Sequence, residues 1–246
     1  MKILVFGESC KDVFHYGYCH RLCPDAPVPV FKLANTVETW GMAKNVEKNL
    51  KSLGSKVDLI TNENNKIITK TRYMDNRTNH MFLRVDENDN SYGQLSVKQL
   101  QEIEFLKYDA VIVSDYNKGF LSDKALNLIS QMHHTTFIDT KRQLSNWAND
   151  YTFIKLNHSE YENNRDNITP TLREKIILTK GQYGSEYQNN IYSVPTVEVR
   201  DTSGAGDTFV SGLCYEYVRT KDIVDAIKFA NQCATKVVQK RGVSIV

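Results

Sequence analysis

The chain carries its densest chemistry where a carboxylate follows two glycines. The string runs Val199-Arg200-Asp201-Thr202-Ser203-Gly204-Ala205-Gly206-Asp207-Thr208-Phe209. Strand-like residues come first and small residues follow. Phe209, Leu213 and Tyr217 then recur at i, i+4 and i+8, which predicts a helix. The unpaired N–H groups and the dipole of a helix N-terminus favour an anion. Gly204 and Gly206 let the backbone approach a ligand closely. Beside such an anion hole, Asp207 can take the proton of a hydroxyl. The backbone of Gly204, Ala205 and Gly206 can meanwhile hold the charge growing on a phosphoryl group. The same residues also suit a plainly capped helix start, so the remaining chain must separate the two readings.

Further polar residues fall just past predicted strands, where α/β ligand sites lie. Asp12 follows the strand Lys2–Phe6 and is a candidate hydroxyl acceptor, or else a solvated loop acid. Asp115 follows Ala110–Val113, and Lys141 follows Thr136–Ile138, where it can meet a phosphate as a point charge. Asn157 and Glu160 follow Phe153–Leu156 and have the spacing of a capping box. Thr179 and Gly181 close the strand 175–179. Arg72 and Arg84 can make forked bonds to a phosphate, or can line a solvated strand face.

These residues need a scaffold of alternating strands and helices. Strands are also predicted at 57–60, 67–74 and 80–85. A helix opens near Gly41 with Met42, Val46, Leu50 and Leu53 as its apolar stripe, and Gly54 stops it. Helices follow at 96–106 and 123–132, and a last one carries Ile223, Ile227, Ala230, Ala234 and Val237 on one face. Turns are expected at Asn76–Asn79 and Glu87–Asn90, and a hairpin at Gln188–Asn190. Pro24, Pro27 and Pro29 suit a rigid extended segment that feeds an edge strand. The alternation implies a mostly parallel sheet with helices on both faces.

Composition narrows the class. The chain has 246 residues, a formal charge of +2, 41% hydrophobic and 24% charged residues. That fits one soluble α/β domain over residues 1–246. A charge so close to neutral does not call for nucleic acid, and no apolar run reaches membrane-spanning length. Lys2–Phe6 is too short for a signal-peptide core, so a cytoplasmic protein is expected. Cys10, Cys19, Cys23, Cys214 and Cys233 are read as reduced thiols, because Cys19-His20-x-x-Cys23 has no second ligand pair at zinc-finger spacing.

The string Asp-Thr-x-Gly-Ala-Gly-Asp resembles the C-terminal signature of the ribokinase-like (PfkB) carbohydrate kinases. Arg21-Leu22-Cys23-Pro24-Asp25-Ala26-Pro27-Val28-Pro29-Val30 and Ser114-Asp115-Tyr116-Asn117-Lys118-Gly119 resemble a narrower group, the heptose 7-phosphate kinases of ADP-heptose synthesis. Cys23 and Asp25 replace that group's Ser and Glu. Gly41 and Asn45 match the family's Gly-Gly-Ala-Ala-Asn-Val, with Met42 and Lys44 as departures. At least one helix–strand unit of the family is expected to be missing between residue 60 and residue 67, and no nucleotidyltransferase half is expected after the kinase region.

The resemblance implies a three-layer α/β/α sandwich with a small β lid from about 12–36 and 67–85. It implies a kinase using ATP and Mg²⁺, with Asp207 as base. Asn157 and Glu160 would organise the metal partly through water. Thr179, Gly181 and Asn231 would hold the nucleotide. Asp12, Gly41, Asn45 and Asp115 would hold the sugar, with Arg72, Arg84 and Lys141 toward phosphate. The implied acceptor is D-glycero-D-manno-heptose 7-phosphate at O1, and a homodimer through the lid is implied as well. Two alternatives stay open: a kinase for another sugar or nucleoside, and a shortened non-catalytic relative.

Overall fold

The computed structural model describes residues 1–62, 67–89 and 93–246. The expected connection across 61–66 and the turn ending at Asn90 fall partly outside these residues. In chain order the strands are β1 (Lys2–Gly7), β2 (Ser9–Leu22), β3 (Pro29–Met42), β4 (Lys56–Thr61), β5 (Ile68–Asp75), β6 (Met81–Glu87), β7 (Ala110–Asp115), β8 (Thr136–Thr140), β9 (Phe153–Asn157), β10 (Ile176–Thr179), β11 (Ser185–Tyr187) and β12 (Asn190–Tyr192). The α-helices are α1 (Ala43–Ser52), α2 (Val97–Gln101), α3 (Asp123–Met132), α4 (His158–Asn163), α5 (Pro170–Arg173), α6 (Ala205–Thr220) and α7 (Ile223–Val237).

Among the described residues the strands form two sheets. The larger has the order β12-β11-β10-β9-β8-β7-β1-β4 and is parallel from β10 to β4. Its central strands β1, β7, β8 and β9 are buried along nearly their whole length and mostly apolar, with polar residues toward their C-terminal ends. On one face, Val46 and Leu50 of α1, Phe209 and Leu213 of α6, and Ile227 and Ala230 of α7 pack over Ile3, Val5 and Ile112. On the other, Leu100, Leu126, Ile129 and Leu172 cover Leu4, Phe6 and Val113. The molecule is therefore a three-layer α/β/α sandwich. Every parallel strand ends on the same side, and Asp115, Lys141, Asn157 and Thr179 lie there.

The second sheet has the order β3-β2-β5-β6. The chain enters it directly after β1, through Gly7 and Glu8. A Cβ on Gly7 would stand 1.9 Å from the Ser114 carbonyl oxygen, so this crossing admits only glycine. Pro29 opens β3, an edge strand, where a missing N–H breaks no ladder.

Three local expectations differ from the structure. Asp12 is not on a loop: it lies inside the 14-residue β2, with Cys10, Asp12 and Phe14 turned inward. Met42 is not on the apolar stripe of α1. It caps that helix and packs with Cys10 and Ile68 instead. The helix expected over 96–106 stops after Gln101, and Phe105–Lys107 form a separate short turn. The break swings Phe105 inward to stack on Phe6, with ring centroids 6.0 Å apart.

Candidate functional site at the C-terminal edge of the parallel sheet

The helix that carries Asp207 starts as its glycines dictate. Gly204 caps α6 with φ 78, and a Cβ there would press to 2.6 Å from Nδ2 of Asn45. Asp207 is buried in the first turn of α6. Its carboxylate accepts from Nδ2 of Asn45 at 3.0 Å and from the Tyr116 hydroxyl at 2.9 Å. Burial pushes its carboxyl up to about 6; the Asn45 bond opposes this, Asp139 adds to it, and Tyr116 and Lys155 pull it back. Asn45 comes from the first turn of α1 and is itself braced by Asn49, whose amide donates to the Asn45 side-chain oxygen at 3.1 Å.

A charged cluster stands beside this turn. Lys155, on β9, is buried and donates to both oxygens of Asp139 at 3.1 Å. Its ammonium lies so close to the α6 N-terminus that a Cβ on Gly206 would approach it to 3.1 Å. Lys141 binds Glu160 and lies 3.6 Å from Asp139. Burial works against the Lys141 ammonium, but Asp139 and Glu160 outweigh it and raise its pKa. For Asp139, burial raises the carboxyl and the ammoniums of Lys141 and Lys155 hold it below the ordinary range. Asn157 caps α4 in a full capping box. Its side chain accepts from the Glu160 N–H at 2.9 Å, and its own N–H donates to Glu160 at 2.7 Å.

A cleft of about 1020 Å³ opens along this cluster. Lys141, Lys155, Asn157 and the Gly204–Gly206 turn form one end. Thr179, Gly181 and Asn231 line the remainder, with Val194, Pro195 and Val238 as apolar wall. The Asn231 amide donates to the Tyr192 carbonyl at 2.8 Å, which ties α7 to the β12 hairpin. Gly181 (φ 58) and Gly184 (φ 86) need the left-handed region that glycine supplies.

The other expected residues separate into distinct groups. Asp12 and Arg72 form an ion pair of 2.5 Å across β2 and β5, and a Cβ on Gly41 would collide with Asp12 at 2.1 Å. Asp115, which the resemblance implies would hold the sugar, has partners within the protein. It is wholly buried and is taken up by Thr140 at 2.7 Å and Arg142 at 2.8 Å. Arg84 lies on a solvated strand face, its other reading: β6 is exposed along its length, and the Arg84 guanidinium makes its forked bonds to Asp86 at 2.8 and 2.9 Å.

A match to the model of the pfkB family carbohydrate kinases spans residues 42–246. The chain belongs to the pfkB family. Among curated relatives, the bifunctional protein HldE of Marinomonas sp. is 30% identical over 288 residues, covering 98% of this chain and 61% of the relative. HldE of Helicobacter pylori is 28% identical over 295 residues, covering 98% and 63%. The chain thus spans about three fifths of the length of these relatives. Solved structures of the same fold include the microbiome-derived acarbose kinase Mak1 (TM-score 0.73, 12% identity, 100% of this chain and 95% of that one). Ribokinase of Arabidopsis thaliana complexed with ribose and ATP is also similar (TM-score 0.68, 14% identity, 98% and 93%). As a pfkB carbohydrate kinase, the chain is a phosphotransferase with a sugar acceptor.

Three residues around Asp207 escaped the sequence reading. Lys155 looked like one more residue of a buried strand, and Tyr116 like part of a motif without a task. Glu8 is fully buried and accepts the N–H groups of Tyr116, Lys118 and Phe120 at 2.9, 2.9 and 3.2 Å, fixing the loop that presents Tyr116. A buried strand lysine was the one signal available for Lys155, since lysine is rarely buried without a partner.

Proposed function

We propose that this chain transfers the γ-phosphoryl group of ATP to a sugar-phosphate hydroxyl, with D-glycero-D-manno-heptose 7-phosphate at O1 as acceptor and Asp207 as base. The observation that carries this reading is a buried carboxylate in the first turn of a helix whose N-terminal N–H groups face a cleft lined by ammoniums. The HldE relatives favour the heptose phosphate among sugars.

The residues present fit a Mg-nucleotide. The cleft has an apolar wall for a base and the cations Lys141 and Lys155 for phosphates. Glu160 is ion-paired to Lys141 and bonded to Asn157, so a metal would reach this pair through water. Asn157 and Glu160 would hold Mg²⁺ through water, and the metal would neutralise charge on the phosphates. Lys155 and the N–H groups of the Gly204–Gly206 turn hold the moving phosphoryl group. Asn45 orients Asp207, which takes the acceptor proton. Asp12 and Arg72, from β2 and β5, face the acceptor. We assign these strands, with β3 and β6, to the lid. Exposed Leu33, Val37, Phe82 and Leu83 on β3 and β6 favour pairing of two lids in a homodimer. A single-chain mass by light scattering contradicts that pairing.

Asp207 works as a base only when ionised. With its carboxyl near 6, kcat/KM should be level above pH 7 and fall about tenfold per pH unit below 6. A profile still level at pH 5 contradicts the assignment. Asn157→Ala should remove a helix cap, at about 1 kcal/mol of stability, and raise the magnesium needed for half-maximal rate. Lower stability with an unchanged magnesium titration would make Asn157 a cap alone.

The test of the whole reading is ADP release with Mg-ATP and a panel of heptose 7-phosphate, fructose 6-phosphate, ribose, adenosine and no sugar. Turnover confined to heptose 7-phosphate supports the proposal. Turnover confined to another member replaces the acceptor, and silence across the panel sinks it.

A further inference from the structure

Both carboxylate oxygens of Asp207 accept a hydrogen bond, Oδ2 from Asn45 and Oδ1 from the Tyr116 hydroxyl. The Tyr116 hydroxyl therefore takes one of the two acceptor directions of Oδ1, in competition with an arriving acceptor hydroxyl. Its backbone cannot lift it away, because the Glu8 carboxylate pins the N–H groups of Tyr116, Lys118 and Phe120. With the backbone held, rotation of the Tyr116 side chain is the motion that frees this position on Oδ1.

One residue of unusual conformation stands against that rotation. Met42 has φ 59 and ψ −138, a region that crowds a Cβ and that glycine normally occupies. It is 2% exposed and packs with Cys10 and Ile68 against Tyr116. Met42 also caps α1, three residues before Asn45. One strained residue thus belongs to the cluster that packs on Tyr116 and opens the helix that carries Asn45. Such outliers persist where the surroundings hold them, and they concentrate at functional sites.

We propose that Met42 and Tyr116 form a latch on the acceptor side of Asp207: Met42 holds the Tyr116 ring so that its hydroxyl caps the base until an acceptor hydroxyl displaces it. The proposal rests on the kinase reading above. Met42 is the specificity-determining element of the latch and Tyr116 a positioning residue. Water gains too little from Asp207 to displace an anchored phenol, so ATP is not consumed without a sugar. An acceptor displaces the phenol because its remaining hydroxyls and its phosphate are held at the same time. Lys70 and Lys141, with ammoniums 5.4 and 5.3 Å from the Tyr116 ring, flank the space through which the ring would turn.

The test compares the full chain with Met42→Gly and Tyr116→Phe. Glycine is at ease at φ 59, and Phe keeps the ring, so at least one variant retains the fold. Acceptor-free ADP release with Mg-ATP should rise at least about tenfold in both variants. The acceptor KM should fall in Met42→Gly, which no longer has to displace a braced ring. In Tyr116→Phe the titration of the Asp207 carboxyl, followed by carbon NMR, should move upward, since a donor to the charged form is lost. Wild-type transfer to a sugar with no rise in acceptor-free release in either variant overturns the latch. So does an unmoved Asp207 titration in Tyr116→Phe. Absence of wild-type transfer to any sugar removes the kinase reading itself, and the latch with it.

Discussion

Asp207→Asn should abolish transfer to the sugar and make the protein more stable. The rate falls by about 10²–10⁴, the usual contribution of a positioned general base. The stability gain follows from the environment of the carboxyl. Burial raises it from 3.8 to about 6, so the folded chain holds this proton better than the unfolded chain does. That stabilisation is full below pH 4 and is lost as the pH rises through 6, a difference of about 3 kcal/mol by pH 8. Asparagine never charges. Its oxygen can accept from Asn45 and its amide can donate to the Tyr116 hydroxyl. At pH 8 the variant should gain about 1–3 kcal/mol, read as a melting temperature higher by several degrees. Turnover within tenfold of wild type would contradict the assigned base. Lower stability at pH 8 would contradict the burial argument.

Lys155→Met should have the opposite effect on stability. Asp139 is 2% exposed and takes two hydrogen bonds from Lys155. Methionine keeps the bulk of the lysine stem and removes the charge. Stranding one member of a buried ion pair destabilises by about 3–5 kcal/mol. Lys141 remains 3.6 Å from Asp139 but is itself engaged with Glu160, so it offsets only part of the loss. Denaturant titration of Lys155→Met, Asp139→Leu and the double variant separates the terms. The double variant should recover most of the stability, because no charge is left unpaired. It should still bind ATP poorly, because the ammonium beside Gly206 is gone. Recovery of tight ATP binding in the double variant would show that Lys155 acts on Asp139 alone.

The sequence made the α6 turn legible because everything that builds it is local. Two glycines, a carboxylate and an apolar 3.6-residue period lie within twenty residues, and the anion hole follows from helix geometry. The larger sheet was legible for a similar reason, since its central strands are short apolar runs between polar turns. The contacts that tune Asp207 were not legible, because they join distant parts of the chain. Tyr116 reaches Asp207 across 91 positions and Asn45 across 162. Only the resemblance to a family pointed to Asn45. Met42 shows the limit of a periodic pattern. Its side chain fits the α1 stripe by spacing, yet the helix starts one residue later and leaves it at φ 59 as the cap. Asp115 shows another limit. Its place beyond a strand suits a ligand contact, but Arg142, 27 residues on, takes its carboxylate.

The central claim is transfer of a phosphoryl group to a sugar hydroxyl under the control of Asp207. Phosphorus NMR of a reaction with Mg-ATP and heptose 7-phosphate tests it most directly. The account predicts a new sugar phosphate signal coupled to the anomeric proton, growing in step with ADP and missing when Asp207→Asn replaces the wild type. ADP accompanied only by inorganic phosphate, or the same product signal from Asp207→Asn, would contradict it.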